Sequence, residues 1–168
     1  MLRIAKQLHQ AAGWEYDQAL RENAPDQALF RRAVSTACYA AFHYLIEKCI
    51  ETVAPDSPAT HQAAMARTFA HTTIKQFARR LVSPQPPQYV QSLFTEISRE
   101  LRDLADAFVF LQEEREKADY DLSVHFTKSN AEHSLVALIK FFLVLDQPTS
   151  DVKQFLTLLP IAGQLRNR

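Results

Sequence analysis

The chain has 168 residues, 47% of them hydrophobic, and its 19 Lys and Arg balance its 19 Asp and Glu to a formal net charge of zero. This balance excludes the overall positive field of a general nucleic-acid binder. The length suits a single domain over residues 1–168, with a core in about 26–145 and a C-terminal helix and tail in 148–168. Only 2 glycines occur, which favours helices.

Proline residues divide the chain into helical segments. The first helix is predicted over about Leu2–Asn23, and the second over about Asp26–Thr52 with Asp26 as its N-cap. Ser57 is the predicted cap of a third helix, which runs from Pro58 to about Val82. Trp14 has the helical spacing of a core residue on the first helix.

The fourth predicted helix, about Gln88–Lys117, is the longest. Ser129 and Glu132 have the spacing of a capping box for a fifth helix that ends near Asp146. Its body, LVALIKFFLVL, is apolar nearly all round and predicts a central position. Ser150 or Asp151 caps a short last helix, whose apolar face is Val152, Phe155, Leu156 and Leu159. We therefore predict an all-α fold, an antiparallel bundle of about five helices with a short C-terminal helix.

No segment reaches the ~18 uninterrupted apolar residues of a membrane span, and the N-terminal residues lack the features of a signal peptide. We therefore expect a cytoplasmic protein that is not in a membrane. Cys38 and Cys49 lie on one predicted helix, about 16 Å apart along its axis, which is too far for a disulfide. Both are expected to be buried as free thiols.

Two segments carry polar side chains where a helix should face the core. A polar stripe at helical spacing runs along the second helix and consists of Arg32, Ser35, Tyr39, His43 and Glu47. On the fourth helix, an apolar row of Leu93, Ile97, Leu101, Leu104, Phe108 and Leu111 continues into Arg115. An unpaired buried guanidinium is costly, so Arg115 should find acceptors on the stripe or among Asp119, Tyr120 and Asp121.

The sequences of these segments, RRAVSTACYAAFH and REKADYD, resemble one branch of the HEPN superfamily of helical domains, named for higher eukaryotes and prokaryotes nucleotide binding. Members of that branch read about R-R-A-x-S-x-x-Y-Y-A-A-F-H and R-x-x-A-D-Y-D, and this chain departs at Cys38, where the first Tyr would be. The resemblance implies a homodimer with a site in the dimer cleft. It also implies RNA, a nucleotide or a nucleotidyltransferase-like antitoxin as partner.

Ribonuclease members of the superfamily carry an Arg followed, after four to six residues, by a His. Arg115 matches the arginine, but Tyr120 stands where the histidine would be, and His125 comes later. A phenol, with an ordinary pKa of about 10, is a poor general base beside an imidazole at about 6.5. The weak catalytic candidates are Arg115, His43 and Tyr120, and we expect no efficient ribonuclease activity. An active enzyme would be a metal-independent endoribonuclease.

Three functions stay open. The first is a nucleotide- or RNA-binding module of a bacterial toxin–antitoxin, defence or stress system. The second is a non-catalytic interaction module in which Arg115 and the ADYD segment are a structural lock, and the third is an active ribonuclease toxin. The candidate polar cluster is the same in each case: Arg32, Ser35, Tyr39, His43, Arg115, Asp119, Tyr120 and Asp121. No histidine pair has the spacing of helical metal ligands, so we expect neither a metal nor a cofactor.

Basic residues also cluster locally in the sequence. These clusters are Arg31/Arg32, Lys75/Arg79/Arg80 and Arg166/Arg168. Charged residues at helical spacing are usually solvated faces, so charge alone gives little support for phosphate binding. His71 receives no role from the sequence.

Overall fold

The structure is a computed structural model that describes residues 2–21 and 27–165. Within these ranges the fold is all-α, with no strand, as predicted. The helices are α1 (Leu2–Arg21), α2 (Gln27–Val53), α3 (Ala59–Ala66), α4 (His71–Val82), α5 (Gln88–Leu93), α6 (Arg99–Tyr120), α7 (Lys128–Asp146) and α8 (Ser150–Leu158), followed by a 3-10 turn at Leu159–Ile161. The predicted cap Asp26, the predicted end Asn23 and the Arg166/Arg168 cluster lie outside the described residues.

α2 lies at the centre of the fold and contacts α1, α6, α7 and α8. Small side chains make this possible, because four alanines of α2 are fully buried and let neighbouring helices approach closely. These are Ala33, Ala37, Ala40 and Ala41. The free thiols of Cys38 and Cys49 are buried in the same helix, as predicted.

α7 was expected at the centre, and this prediction is wrong. One side of α7 is buried against α2 and α6, through Ala131, Ser134, Leu138, Phe141 and Leu145. The other side exposes Val136, Ile139 and Leu143. An apolar composition all round therefore does not place this helix inside.

The third predicted helix is broken at residues 67–70 into α3 and α4. Thr68 donates its hydroxyl to the carbonyl of Met65 at 2.7 Å, and Ala70 is extended at φ −118° and ψ 132°. The break turns the apolar side of α4 onto α6, where Ile74, Phe77 and Leu81 are buried. Tertiary packing here outweighs the helix propensity of the continuous sequence.

The fourth predicted helix is also broken, between α5 and α6, which raises the number of described α-helices to eight. Phe94 is extended and buried, and Ser98 caps α6 by accepting from the backbone N–H of Leu101 at 3.1 Å. The sequence showed no proline or glycine at this point, so the cap was missed. The part of the apolar row from Leu101 to Leu111 is buried in α6.

The caps of the last two helices differ from the predicted ones. Asn130 Oδ1 accepts from the backbone N–H of Thr127 at 2.9 Å, so the N-cap of α7 is Thr127, two residues before the predicted Ser129. Glu132 instead accepts from the Tyr16 hydroxyl at 2.5 Å. The apolar face of α8 is buried as predicted, and Thr149 is its N-cap.

Trp14 was expected in the core, but 61% of it is exposed. α1 packs on α2 through a face that contains the buried residues Ala12 and Glu15, and Trp14 lies beside that face. None of the helices in the described ranges is both long and apolar enough to cross a membrane.

Candidate functional site

Arg115, near the end of α6, joins the two polar segments that the sequence singled out. Its Nε donates to Asp119 Oδ2 at 2.8 Å, one turn further along the same helix. Its Nη2 donates to the hydroxyls of Tyr39 on α2 at 2.9 Å and of Tyr120 at 3.2 Å. Only 15% of the Arg115 side chain is exposed. The cation is therefore held in a fixed position by acceptors on two helices.

The same two phenols present their rings to the guanidinium. Its central carbon lies 4.9 Å from the centre of the Tyr39 ring and 5.7 Å from that of Tyr120. These distances allow cation–π attraction. Although Tyr120 is a large aromatic residue, 73% of it is exposed, because it is the last residue of α6 and lies beyond the packed face. The exposed ring forms one wall of the Arg115 cluster.

His71, which received no role from the sequence, lies in this cluster. Its ring stacks on Phe42 with centroids 3.5 Å apart, and the Gln112 amide nitrogen lies 2.8 Å from its Nδ1. Burial and the nearby charge of Arg115 lower the pKa of His71 to about 4. The imidazole is therefore neutral at pH 7. Only the break before α4, which no proline or glycine marks in the sequence, places His71 at the start of a helix beside α2.

His43 lies one helical turn after Tyr39 and is exposed. Its ring meets Phe42 edge-on, with centroids 5.7 Å apart. The surrounding protein displaces water from the ring and lowers the pKa of His43 below its ordinary value. A charge on His43 also lowers the pKa of His71, so the two imidazoles belong to one electrostatic group with Arg115.

The residues of the polar stripe on α2 do not share one set of contacts. Arg32 turns to α1, where its Nη2 lies 3.0 Å from Oε1 of the buried Glu15, and Thr36 donates to the same carboxylate at 2.8 Å. Ser35 is half-buried and Glu47 is buried near the other end of the stripe. Arg32 and Tyr39 are about 10 Å apart along the axis, so Arg115 does not reach both. Within the stripe, Tyr39 alone bonds Arg115.

Arg31, beside Arg32, was missed as a key residue. Its guanidinium lies 5.0 Å from the centre of the Phe126 ring. It donates hydrogen bonds to four backbone carbonyls at the end of α6 and in the loop that follows. These carbonyls belong to Lys117, Ala118, Asp121 and Val124. In the structural-lock alternative Arg115 fixes the ADYD segment, and it does bind the side chains of Asp119 and Tyr120. Arg31 holds the backbone of the same segment, which the Arg-Arg pair in the sequence does not indicate.

Asp121 lies outside the Arg115 cluster. Its carboxylate accepts from the backbone N–H of Ser123 at 3.0 Å and from the Ser123 hydroxyl at 2.5 Å, which forms a local turn. These hydrogen bonds hold the pKa of Asp121 below its usual value. The side chain therefore shapes the loop and does not contact Arg115.

The other basic residues near the cluster are used inside the protein. Lys75 pairs with Glu116 at 2.7 Å, and Arg79 pairs with Glu113 at 2.5 Å. Arg80 donates to the Tyr89 hydroxyl and to the carbonyl of Leu165. A surface cleft of about 400 Å³ next to Tyr120 is lined by Glu113, Glu116, Lys117, Tyr120 and Asp121. The surroundings therefore suit one anionic group at Arg115 better than a long polyanion.

In the part of the chain that the structure describes, no three side chains of His, Cys, Asp or Glu come together as metal ligands. Comparison of the chain with protein-family models, with curated proteins and with solved structures gave no match. The HEPN resemblance accordingly stays a prediction that depends on two motifs, and the geometry of the Arg115 cluster is the independent basis for a function.

Proposed function

We propose that the protein is a HEPN-like module that binds one phosphate group of a nucleotide, or of RNA, at Arg115. In this proposal it acts in the bacterial cytoplasm as part of a toxin–antitoxin, defence or stress system. The observation that carries it is the position of Arg115. The Arg115 side chain is 15% exposed, its guanidinium is held from two helices, and it is bordered by a Tyr120 residue that is 73% exposed.

A planar guanidinium recognises phosphate through parallel hydrogen bonds. In Arg115, Nε and Nη2 already have acceptors, whereas Nη1 has none among the described residues. Its two donors are available for phosphate oxygens. The exposed face of Tyr120 supplies a stacking surface for a base, a contact that contributes about 1–3 kcal/mol per base in proteins that bind single strands.

The charge distribution favours a nucleotide over an extended RNA. Lys75 and Arg79 are neutralised by glutamates of α6, and Arg31 is occupied with backbone carbonyls. A long RNA needs several cations along its path, since each phosphate contact adds to affinity. The cleft next to Tyr120 has three acidic side chains and one lysine, Lys117, which pairs with Glu114 at 2.5 Å, so the surroundings of Arg115 offer too few cations for more than one phosphate group.

Efficient ribonuclease activity is not part of this proposal. Tyr120 holds the position of the motif histidine and bonds Arg115, and His71, with a pKa of about 4, is a weak base at pH 7. An active ribonuclease toxin is the third candidate and would depend on His43, the exposed imidazole of the group.

The second candidate is a non-catalytic interaction module. It is favoured by the contact between Arg115 and Tyr39, which ties the end of α6 to α2 and gives the arginine a structural task. A homodimer and a nucleotidyltransferase-like antitoxin partner are proposals under both candidates.

Arg99 offers a matched control for Arg115. It lies on the same helix and also pairs with an aspartate four residues later, Asp103 at 3.6 Å, but 89% of its side chain is exposed. We would titrate AMP, ATP, inorganic phosphate and a ten-nucleotide RNA into the wild type, Arg115→Gln and Arg99→Gln by calorimetry. We expect Arg115→Gln to weaken AMP or ATP binding by about tenfold or more and Arg99→Gln to leave it unchanged.

Tyr120→Ala distinguishes the contribution of base stacking from that of the phosphate contact, because it removes the stacking surface and not Arg115. We expect it to weaken AMP binding and to leave the binding of inorganic phosphate unchanged. Unaltered nucleotide binding by a folded Arg115→Gln variant would overturn the proposal. Absence of nucleotide and phosphate binding in the wild type would overturn the proposal and favour the structural lock. Cleavage of the RNA that is lost in His43→Ala would establish the ribonuclease.

A further inference from the structure

α7 carries an apolar stripe on the side that faces away from the core. Val136, Ile139 and Leu143 lie at spacings of three and four residues, which places them on one side of the helix. Their exposed fractions are 49%, 48% and 64%. Contiguous apolar surface of this kind usually marks an interaction site. The stripe borders a groove between α6 and α7 of about 740 Å³, in which Phe110 is half-buried.

Charges of both signs line this groove. Lys140 projects from α7 between Val136 and Leu143, and Asp103 and Asp106 lie on α6. Neither Lys140 nor Asp106 forms an ion pair with another described residue, and Asp103 has only the 3.6 Å contact with Arg99. Partial burial and the neighbouring charge of Asp103 raise the pKa of Asp106, and the charge of Arg102, one turn earlier on α6, only partly opposes this rise.

We propose that this face, with Val136, Lys140 and Leu143 on α7 and Asp106 on α6, is the surface on which a second copy of the chain docks through a twofold axis. A twofold interface joins the same patch on both copies, so a patch with unpaired charges of both signs is complementary to itself. Lys140 of each copy meets Asp106 of the other, and the apolar stripes bury each other between the two pairs. A partner of one charge sign would meet repulsion on one side of the groove.

The proposed surface is separate from the Arg115 cluster and does not depend on the proposed function. Arg115 is nine positions after Asp106, which puts their side chains on opposite sides of α6 at about 100° per residue. Each copy therefore keeps its own Arg115 cluster outside the interface. This arrangement contrasts with the shared cleft that the family resemblance implies.

The experiment measures the mass of the full-length protein by sedimentation equilibrium over a range of concentrations. We expect a dimer for the wild type and a dissociation constant raised by about tenfold or more in Leu143→Glu. Leu122→Glu is the control, because Leu122 is 87% exposed in the loop beside the Arg115 cluster and should leave the dimer unchanged. If the dimer formed around the Arg115 cluster instead, Leu122→Glu would weaken it and Leu143→Glu would not. That result would overturn the proposal.

A charge exchange tests the pairing directly. Lys140→Asp and Asp106→Lys should each weaken the dimer, whereas the double variant Asp106→Lys/Lys140→Asp should restore it, because the two groups exchange signs. Melting curves identify variants that fail to fold. A wild type that stays monomeric at every concentration, a dimer that survives Leu143→Glu, or a double variant no stronger than the single ones would each overturn the proposal.

Discussion

The hydroxyl of Tyr39 accepts a hydrogen bond from Arg115 at 2.9 Å, and the ring of the same tyrosine lies 4.9 Å from the guanidinium carbon. One phenol therefore supplies both an acceptor and a π face across the contact between α2 and α6. The two contributions are separable, since phenylalanine retains the ring without the hydroxyl.

We expect Tyr39→Phe to lower the free energy of unfolding by about 1 kcal/mol and Arg115→Gln to lower it by about 2 kcal/mol. The double variant should lose less than the sum of the two, because the same hydrogen bond is removed in each. Urea unfolding of the four proteins measures this coupling. Strict additivity would show that the contact contributes nothing to stability.

Arg31 should contribute more to stability than its place on a helix surface suggests. It donates to four backbone carbonyls around the end of α6, so Arg31→Ala removes a hydrogen-bond donor from each of them. We expect a loss of about 2 kcal/mol, and only a partial recovery with lysine, whose single ammonium cannot span the carbonyls. Arg102→Ala, at an exposed arginine of α6, should change stability by about 0.5 kcal/mol at most. Equal effects at Arg31 and Arg102 would contradict the assignment.

The pKa of His71 reports directly on the Arg115 cluster. Burial and the Arg115 charge lower it from 6.5 to about 4, so protonation favours the unfolded chain. The neutral imidazole is fully compatible with the fold above pH 6.5. The free energy of unfolding decreases as the pH falls from 6.5 towards 4, because the unfolded chain binds the proton more readily. An NMR titration of the imidazole should show this low value in the wild type and a higher one in Arg115→Gln. Arg99→Gln should leave it unchanged, and a His71 pKa near 6.5 in the wild type would refute the arrangement.

Asp151 joins α8 to the start of α6. Its carboxylate, 9% exposed, accepts from the Thr149 hydroxyl at 2.6 Å, the Ser98 backbone N–H at 2.8 Å and the Val152 N–H at 3.1 Å. Burial alone would raise the pKa of Asp151, but the hydrogen bonds from Thr149 and Ser98 outweigh it and lower the pKa below 3.8.

Asp151→Ala should therefore cost about 2 kcal/mol at pH 7, and Asp151→Asn less, because the amide oxygen still accepts. The stability that the ionised carboxylate provides is present above pH 3.8 and is lost as the pH falls through the lowered value. Melting curves at pH 7 and at acidic pH measure the change. Asp56→Ala, in an exposed turn, should have no comparable effect, and an equal loss at both positions would contradict the capping role.

The all-α class and the buried apolar faces of α6 and α8 were predictable, because hydrophobic spacing of three and four residues specifies a helix and its inner side. The breaks before His71 and at Ser98 were not. Both follow from packing, which turns α4 onto α6 and brings Ser98 to Asp151, and neither contains the proline or glycine that normally marks a break.

In the candidate site, spacing identified Arg115 and Tyr39 as polar residues on faces that meet. It could not show that Arg32 turns to Glu15, that Arg31 binds the loop backbone, or that His71 stacks on Phe42. These contacts join segments distant in the chain. They depend on how the helices pack, which a single sequence does not specify.

The hydrogen bonds from Arg31 to the loop after α6 all end on main-chain oxygens, so they depend on the path of the loop and not on its side chains, whereas the Phe126 ring makes a separate contact with the guanidinium. Leu122, 87% exposed, lies between two of the carbonyls that are held, and its side chain is free to change without loss of a single Arg31 hydrogen bond. Substitution of Leu122 can therefore change the side chain presented beside Tyr120 while the backbone path of the loop stays the same.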